Sequence, residues 1–365
     1  MKFICDGVVL SDAAITVSKA CASKTLVPVL ECIKLNAHND TLTLTAYDGE
    51  LSIEKKIKAE VFEEGELCVN GKFFADFIGK ISVFSVTVQT DEKGILIKYG
   101  DNSTKMQTLP ADEFPFIGVD KGEDFVQIKE KELKNLIAKT VFCCATDESR
   151  PILKGCLLET KGDMLEATAL DGFRLATYEC ERSGGVDMKI VCPARTLIEI
   201  SRMLDVKDDE LKLYVSKNTL SIEIDNTTLT SRLYLGEFVN KKNIFPPAFA
   251  TVLTVSREEL IDSMERASVL TRGDKNNLVI FDIKADGIRL TANSDMGNVD
   301  EMIAVEMEGK ELRIAMNGKF MLEALKALDD EKVKISFNTP IAPFVAENLE
   351  TKMGTYLILP VRTGS

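Results

Sequence analysis

An α+β chain of three tandem repeats, each pairing antiparallel sheets with two helices, is the fold the sequence predicts. Three observations point to it. Met164-Leu-Glu-Ala-Thr-Ala-Leu-Asp-Gly-Phe-Arg-Leu-Ala176 reads as a strand that enters an Asp-Gly turn and resumes. It has an echo 123 residues earlier, Thr41-Leu-Thr-Leu-Thr-Ala-Tyr-Asp-Gly-Glu-Leu-Ser-Ile53, and a fainter one at Gly287-Ile-Arg-Leu-Thr-Ala-Asn-Ser-Asp295. Asp48 and Asp171 therefore correspond, and Ser294 or Asp295 takes the third place. Secondly, Pro28-Val-Leu and Pro151-Ile-Leu precede the first two copies at that same spacing. Thirdly, a short helix with a similar opening follows each copy: Asn70-Gly-Lys-Phe-Phe-Ala-Asp-Phe-Ile78, Pro193-Ala-Arg-Thr-Leu-Ile-Glu-Ile200 and Asn317-Gly-Lys-Phe-Met-Leu-Glu-Ala324. A unit of about 120 residues copied at a fixed period sets the architecture of the whole chain.

Repeat one, residues 1–119, opens with a strand at Lys2–Cys5. Ser11 is a fair N-cap for a helix through Cys21, with Ala14, Ile15 and Ser18 facing inward. Strands are expected at Val29–Ala37, Thr41–Tyr47 and Leu51–Val61. In the helix after Asn70, Phe73, Phe74, Phe77 and Ile78 form a stripe that must face a core. Further strands are expected at Val83–Thr90, Ile95–Tyr99 and Ser103–Leu109. Leu109-Pro-Ala-Asp-Glu-Phe-Pro115 marks the exit, with a boundary near Val119.

Repeat two, residues 120–247, follows the same order. Its first helix carries Lys129, Lys131, Lys134 and Lys139 and an apolar stripe of Leu133, Leu136, Ile137 and Val141. Phe245-Pro-Pro247 marks the next boundary. Repeat three, residues 248–365, starts with a strand at Thr251–Val255, after which Ser256 and Glu259 have capping-box spacing. The chain ends on a strand, Thr355–Val361. Short alternating or apolar runs between polar turns indicate antiparallel sheets with helices on one face.

A chain of 365 residues is too long for one core, and its 45% apolar content supplies one for each repeat. No apolar run is long enough to span a bilayer. A charge within the first six residues speaks against a signal peptide, so a cytoplasmic location is expected. The nine cysteines lie between Cys5 and Cys192, form no C-x-x-C pair and fall on apolar positions, as reduced buried thiols do.

The net charge of −13 argues by itself against nucleic acid. Its distribution opens a second reading. The predicted helical stretches 11–24, 71–80, 129–139, 194–204, 256–272 and 318–328 hold 15 Lys or Arg against 10 Asp or Glu, which leaves −18 for the remainder. Basic helices opposite acidic strands would hold a polyanion on the helical side only. Helix propensity of Lys and Arg explains the same split without any ligand.

Catalytic chemistry finds little support. The chain has a single histidine, His38, in a polar turn. No Cys or His cluster has zinc spacing, no phosphate-cradling glycine loop precedes either Asn-Gly-Lys, and no G-x-S-x-G elbow exists. Asp48 and Asp171 stand in separate repeats at turns that favour Asp-Gly on backbone grounds. No cofactor or metal is expected. What repeat two has and repeat one lacks is Phe173-Arg-Leu-Ala176 after its Asp-Gly. Apolar Leu153, Phe173 and Leu175 around Arg174 suit a short peptide with apolar and polar anchors. Spacing alone equally allows these residues to pack between repeats two and three.

The threefold repeat, Asp171-Gly-Phe-Arg-Leu-Ala176, Thr108-Leu-Pro-Ala-Asp-Glu-Phe-Pro115 and the terminal Leu359-Pro-Val-Arg362 together resemble the bacterial sliding clamps, β subunits of the replicative DNA polymerase III. The likeness covers the full chain in the right order. It implies a non-enzymatic processivity factor, a head-to-tail homodimer whose six domains form a ring, with sheets outside and two helices per repeat inside. Six units about 30 Å across leave a hole wide enough for a hydrated duplex, whereas three leave almost none.

The resemblance also implies residue roles. Lys24, Arg150 and Arg195 would lie near double-stranded DNA and contact it without regard to sequence. A partner-peptide cleft would comprise Leu153, Leu170, Gly172, Phe173, Arg174, Leu175, Val239, Asn243, Ile244, Ile341, Leu359, Pro360, Val361 and Arg362. Its partners would be the replicative polymerase α subunit, the clamp loader and repair polymerases. Val239 stands where the family often has proline, Asn243 where it often has arginine, and Phe173 where histidine or tyrosine is frequent. Leu359 and Val361 replace methionines, which stiffens the pocket. The dimer seam would join Thr104 and Met106 to Val269 and Leu270 of the second copy. Thr104 is polar where an aromatic residue is common, so a weaker seam is expected. The alternatives are a peptide-binding scaffold that encloses no DNA, and an enzyme, which would need a titratable cluster in a cleft.

Overall fold

The computed structural model describes residues 1–81, 84–92, 94–115, 122–273 and 277–362, without the Lys242 side chain. The expected boundary at Val119, the expected strand start at Val83 and the tail Thr363–Ser365 lie outside those residues. Six α-helices are described: α1 (Gly7–Ser18), α2 (Gly71–Ile78), α3 (Glu130–Ala138), α4 (Ala194–Met203), α5 (Arg257–Thr271) and α6 (Gly318–Ala327). Every strand pairing whose register is described is antiparallel, as expected. No helix among the described residues is long and apolar enough to cross a membrane.

By internal contacts the chain forms two compact units. One comprises Met1–Ile128, Arg202–Leu204 and Asp209–Leu233; the other comprises Lys129–Ser201, Asp205–Asp208 and Tyr234–Ser365. The division passes through repeat two. Strand pairing supplies the reason. In the first unit Leu51–Lys58 of repeat one pairs with Thr227–Arg232 of repeat two. In the second, Arg174–Glu181 of repeat two pairs with Gly354–Ile358 of repeat three. Each seam is a continuous hydrogen-bonded sheet, so half of repeat two is bound to each neighbour.

Within the first unit, Thr41–Tyr47 forms as expected, with alternate residues Leu42, Leu44 and Ala46 buried. The first helix departs from expectation. It starts at Gly7, because the Asp6 carboxylate accepts from the backbone N–H groups of Val8 and Val9 at 2.8 and 3.0 Å. Ser11 is therefore helical. The inward stripe is Leu10, Ala13, Ala14 and Val17, while Ile15 is exposed. Pro28–Glu31 and Pro151–Lys154 are 3-10 turns that lead into strands Cys32–His38 and Gly155–Lys161. The strand expected from Val29 thus begins at Cys32, because proline fixes the φ of the opening turn.

The two Asn-Gly-Lys openings have one structure. Asn70 Oδ1 accepts from Phe73 N at 3.0 Å, and Asn317 Oδ1 accepts from Lys319 N and Phe320 N at 3.0 and 3.2 Å. The glycine between is required by close approach. A Cβ on Gly71 would stand 2.3 Å from Cys21 Sγ, and one on Gly318 2.8 Å from a Val279 methyl. In α2 the buried face is Phe74, Ala75 and Ile78, and Phe73, expected inside, is exposed.

In the second unit α3 buries Leu133, Leu136 and Ile137, while Val141 lies beyond it in a 3-10 turn. Ser256 caps α5 by accepting from Glu259 N at 3.4 Å. The last strand ends at Ile358 rather than Val361, as Pro360 has no N–H to continue the ladder.

The charge split also changes. Within the observed helix bounds there are nine Lys or Arg and ten Asp or Glu. Of the six cations that the wider bounds added, Lys19, Lys139 and Arg272 are C-caps and Lys80 follows one, where they face the negative end of the helix dipole, whereas Lys129 is the N-cap of α3 and Lys24 lies in the turn beyond α1. The described helices are therefore not basic.

Candidate functional site

The site grows from the Asp-Gly turn of repeat two. Asp171 Oδ1 accepts from Phe173 N at 2.8 Å and Arg174 N at 3.0 Å, closing the turn. Gly172 has φ +93°, which favours glycine. The turn leaves Phe173 exposed at its tip and starts the strand Arg174–Glu181. Along that strand successive side chains point to opposite faces.

Arg174 takes one face, and each nitrogen of its guanidinium donates a hydrogen bond. Nε donates to Asp171 Oδ2 at 3.0 Å, one Nη donates to Glu323 of α6, and the other donates to the Phe142 carbonyl at 2.6 Å. The Phe320 and Phe142 rings lie 4.3 and 5.4 Å from it. Burial works against its charge, but the Cys143 sulfur and the Glu323 and Asp171 carboxylates offset this and raise its pKa. Its relative exposure is only 9%. Arg174 thus clamps the repeat-two turn to a repeat-three helix.

Leu175 takes the other face. It is buried in one cluster with Ala145, Leu153, Leu170, Val345 and Leu357, against which Ile152, Phe238, Ile244, Phe245 and Phe249 pack. In register, Leu175 stands opposite Leu357 across the repeat seam. The C-terminal segment then runs onward: Leu359 N donates to the Phe173 carbonyl and Val361 N to the Ala315 carbonyl, both at 2.8 Å. Beyond it lies a groove of about 570 Å³ lined by Ile280, Arg313, Ile314, Ala315, Pro340, Ile341, Val361 and Arg362. The segment Leu359–Arg362 thus joins the Asp-Gly turn to the groove, which carries Arg313 and Arg362 among its lining residues.

The expected cleft residues are unequally placed. Leu153, Leu170, Leu175 and Ile244 meet in the cluster, and Ile341, Val361 and Arg362 line the groove. Gly172, Phe173, Leu359 and Pro360 adjoin them along the chain. Val239 lines a separate pocket of about 350 Å³, and Asn243 is an exposed member of the 3-10 turn Lys241–Asn243. Sequence reading missed Phe238, Phe245, Phe249, Val345 and Leu357. The register of Leu357 against Leu175 is a pairing across 182 positions that local periodicity does not carry.

Lys24 is exposed in the turn after α1, and Arg195 is exposed in the first turn of α4. Arg150 is exposed beside the Asp-Gly turn, its Nη2 3.8 Å from where a Cβ on Gly172 would be. Thr104 and Met106 lie on the strand Asn102–Leu109, which pairs with Gly94–Tyr99 along one edge and, among the described pairings, with only Cys68 and Val69 along the other. Met106 is 5% exposed, and Thr104 Oγ1 lies 3.3 Å from the Tyr99 hydroxyl. Val269 is 67% exposed near the end of α5, with Leu270 beside it partly covered.

All nine cysteines are unbridged, and burial pushes the Cys5, Cys68 and Cys180 thiols up to about 12. Such thiols are poor nucleophiles at neutral pH. His38 is an exposed strand end paired with Glu64 at 2.8 Å.

Comparison with known proteins covers the whole chain. Residues 1–118, 127–240 and 242–362 match the N-terminal, central and C-terminal domain models of the DNA polymerase III beta subunit. The beta sliding clamp of Halalkalibacterium halodurans is 31% identical over 100% of both chains, and that of Staphylococcus epidermidis 30% identical over 94% of this chain and 95% of its own. Among solved structures, the DNA polymerase sliding clamp of Bacillus subtilis has a TM-score of 0.94 at 30% identity over all of both chains. A putative DNA polymerase III beta subunit from Eubacterium rectale has a TM-score of 0.93 at 30% identity, also over all of both chains.

Proposed function

The chain belongs to the DNA polymerase III β-subunit family, the bacterial sliding clamps, and on that premise we propose that two copies close head to tail into a ring around duplex DNA. The ring tethers the replicative polymerase and gives it processivity without catalysing a reaction itself. Repeats 1–119, 120–247 and 248–365 are its domains in this reading, six to a ring. A closed ring holds DNA by topology, so the protein needs no strong contact, and a chain of net charge −13 fits a ring that must slide. Lys24, Arg150 and Arg195 supply weak, sequence-blind phosphate contacts. Thr104 and Met106 of one copy meet Val269 and Leu270 of the other, continuing a sheet from the free edge of Asn102–Leu109.

The observation that carries the tethering role is the apolar cluster around Leu175 and Leu357, together with exposed Phe173 and the groove lined by Ile341 and Val361. It suits short peptides of the polymerase α subunit, the clamp loader and repair polymerases, anchored by large apolar side chains. Arg174 holds the turn in place; the exposed Arg362 and Arg313 are the cations a peptide meets.

Retention on DNA tests the reading. Loaded onto a nicked circle, the protein stays bound at high salt and is lost once the circle is linearised. A monomer at micromolar concentration with no such retention would favour a peptide-binding scaffold that encloses no DNA.

A further inference from the structure

Beside the apolar cluster lies the 350 Å³ pocket that takes Val239 away from the cleft. Phe238 belongs to both, packing against the cluster and lining the pocket. The pocket carries five charges in layers. Glu166 is at the bottom, its side chain 8% exposed, held by Lys161 at 2.9 Å and by Lys241. Glu159, 26% exposed, is held by Lys189 at 2.8 Å and lies 3.8 Å from Lys161. Burial raises the Glu166 pKa, but the hydrogen bonds from Lys241 and Lys161 outweigh it and leave the pKa lowered, so the carboxylate is charged. Both carboxylates are paired with lysines, and the lysine side chains are the more exposed: Lys161 is 45% exposed and Lys189 65% against 8% for Glu166 and 26% for Glu159. Three lysines over two glutamates leave a positive mouth on a strongly acidic protein.

We propose that this pocket is a subsite for an acidic side chain flanking the apolar anchor of the partner peptide. The inference rests on the cleft described above as the anchor site. Phe238 forms the shared wall, so a peptide anchored against the cluster can run past Phe238 into the pocket that Lys161 and Lys189 line. An Asp or Glu there meets ammonium groups whose own counter-charges lie deeper, while a Lys or Arg is repelled. The pocket therefore selects among peptides that share an anchor.

Fluorescence anisotropy on the full-length protein tests this with three labelled synthetic peptides that share one anchor of large apolar residues. One carries Glu-Glu before the anchor, one carries Glu-Glu after it, and one carries Gln-Gln on both sides. One of the acidic peptides binds about fivefold tighter than the Gln peptide at low salt, as expected for two partly exposed charge contacts, and the margin shrinks as salt rises. The Lys161→Gln/Lys189→Gln protein loses that margin and keeps its affinity for the Gln peptide; Lys189→Gln alone loses part of it. Equal affinity of the three peptides for the unmodified protein, or a margin that survives in the double variant, overturns the subsite and leaves the cleft standing. Failure of all three to bind overturns the cleft, and the subsite with it.

Discussion

The two repeat seams share a backbone turn and differ in the side chains that follow it. At each, an Asp-Gly turn leads into a strand that pairs with the following repeat. Asp48 Oδ1 accepts from Glu50 N and Leu51 N at 3.0 and 2.8 Å, as Asp171 Oδ1 does from Phe173 N and Arg174 N. Gly49 and Gly172 have φ of +103° and +93°. The next three positions then part company. Leu51, a core residue, corresponds to the clamping Arg174. Ser52 corresponds to Leu175. Across the sheet, Ser52 faces Thr230, whose hydroxyl is 2.9 Å from that of Ser221, whereas Leu175 faces Leu357. One seam closes with buried hydroxyls; the other presents leucines to an apolar cluster. The same backbone turn thus carries a hydroxyl pair at one seam and an apolar cluster at the other.

The comparison is broken most severely at Arg174. Arg174→Ala removes the buried cation that ties Asp171, the Phe142 carbonyl and the partly exposed Glu323 together, and costs about 2–3 kcal/mol of stability, measured by urea unfolding. Glu323→Ala in that background recovers part of the loss. Arg174→Leu, the residue at the corresponding position in repeat one, is expected to remain destabilised; wild-type stability would show that the clamp is dispensable.

Leu175→Ser installs the repeat-one residue in the cleft. It should weaken binding of an apolar-anchored peptide by about 2–3 kcal/mol, roughly thirtyfold to over a hundredfold, and abolish polymerase stimulation while retention on circular DNA persists. Unchanged stimulation would move the cleft elsewhere. At the other seam, Thr230→Val removes one partner of the Ser221 hydroxyl pair and costs about 1–2 kcal/mol in thermal unfolding, with peptide affinity unaltered.

The smallest effect is in pH. The Glu166 pKa is lowered from its ordinary value of 4.5, so its ties to Lys161 and Lys241 contribute stability that is present above pH 4.5 and is lost as pH falls through the lower folded value. The melting-temperature difference between wild type and Glu166→Gln is expected to be constant from pH 6 to 7 and to shrink below pH 4.5. A difference that stays constant through pH 3 would remove Glu166 from the tether.

Legibility in the sequence followed the range of the interaction. Thr41–Tyr47 was readable because a strand with one buried face alternates. The Asp-Gly turns and the Asn-Gly-Lys helix openings were readable because their hydrogen bonds close within three residues. Reading failed where a local alternative competed. Asp6 outbid Ser11 as a cap because it stands at the strand end with two N–H groups in reach. The expectation of basic helices depends on bounds drawn past both helix ends, which add flanking cations such as Lys19, Lys129 and Lys139.

The sequence by itself determined the threefold period, the turn chemistry and the helix openings, and so which stretches fold alike. Tertiary structure alone decided that Arg174 finds Glu323, that Leu175 meets Leu357, and that Val239 lines a pocket beside the cleft. The physical reason is that side-chain periodicity tells which residues share a face of a strand, while the partner on that face arrives from another repeat through sheet registry, and registry is set by the packing of the whole unit.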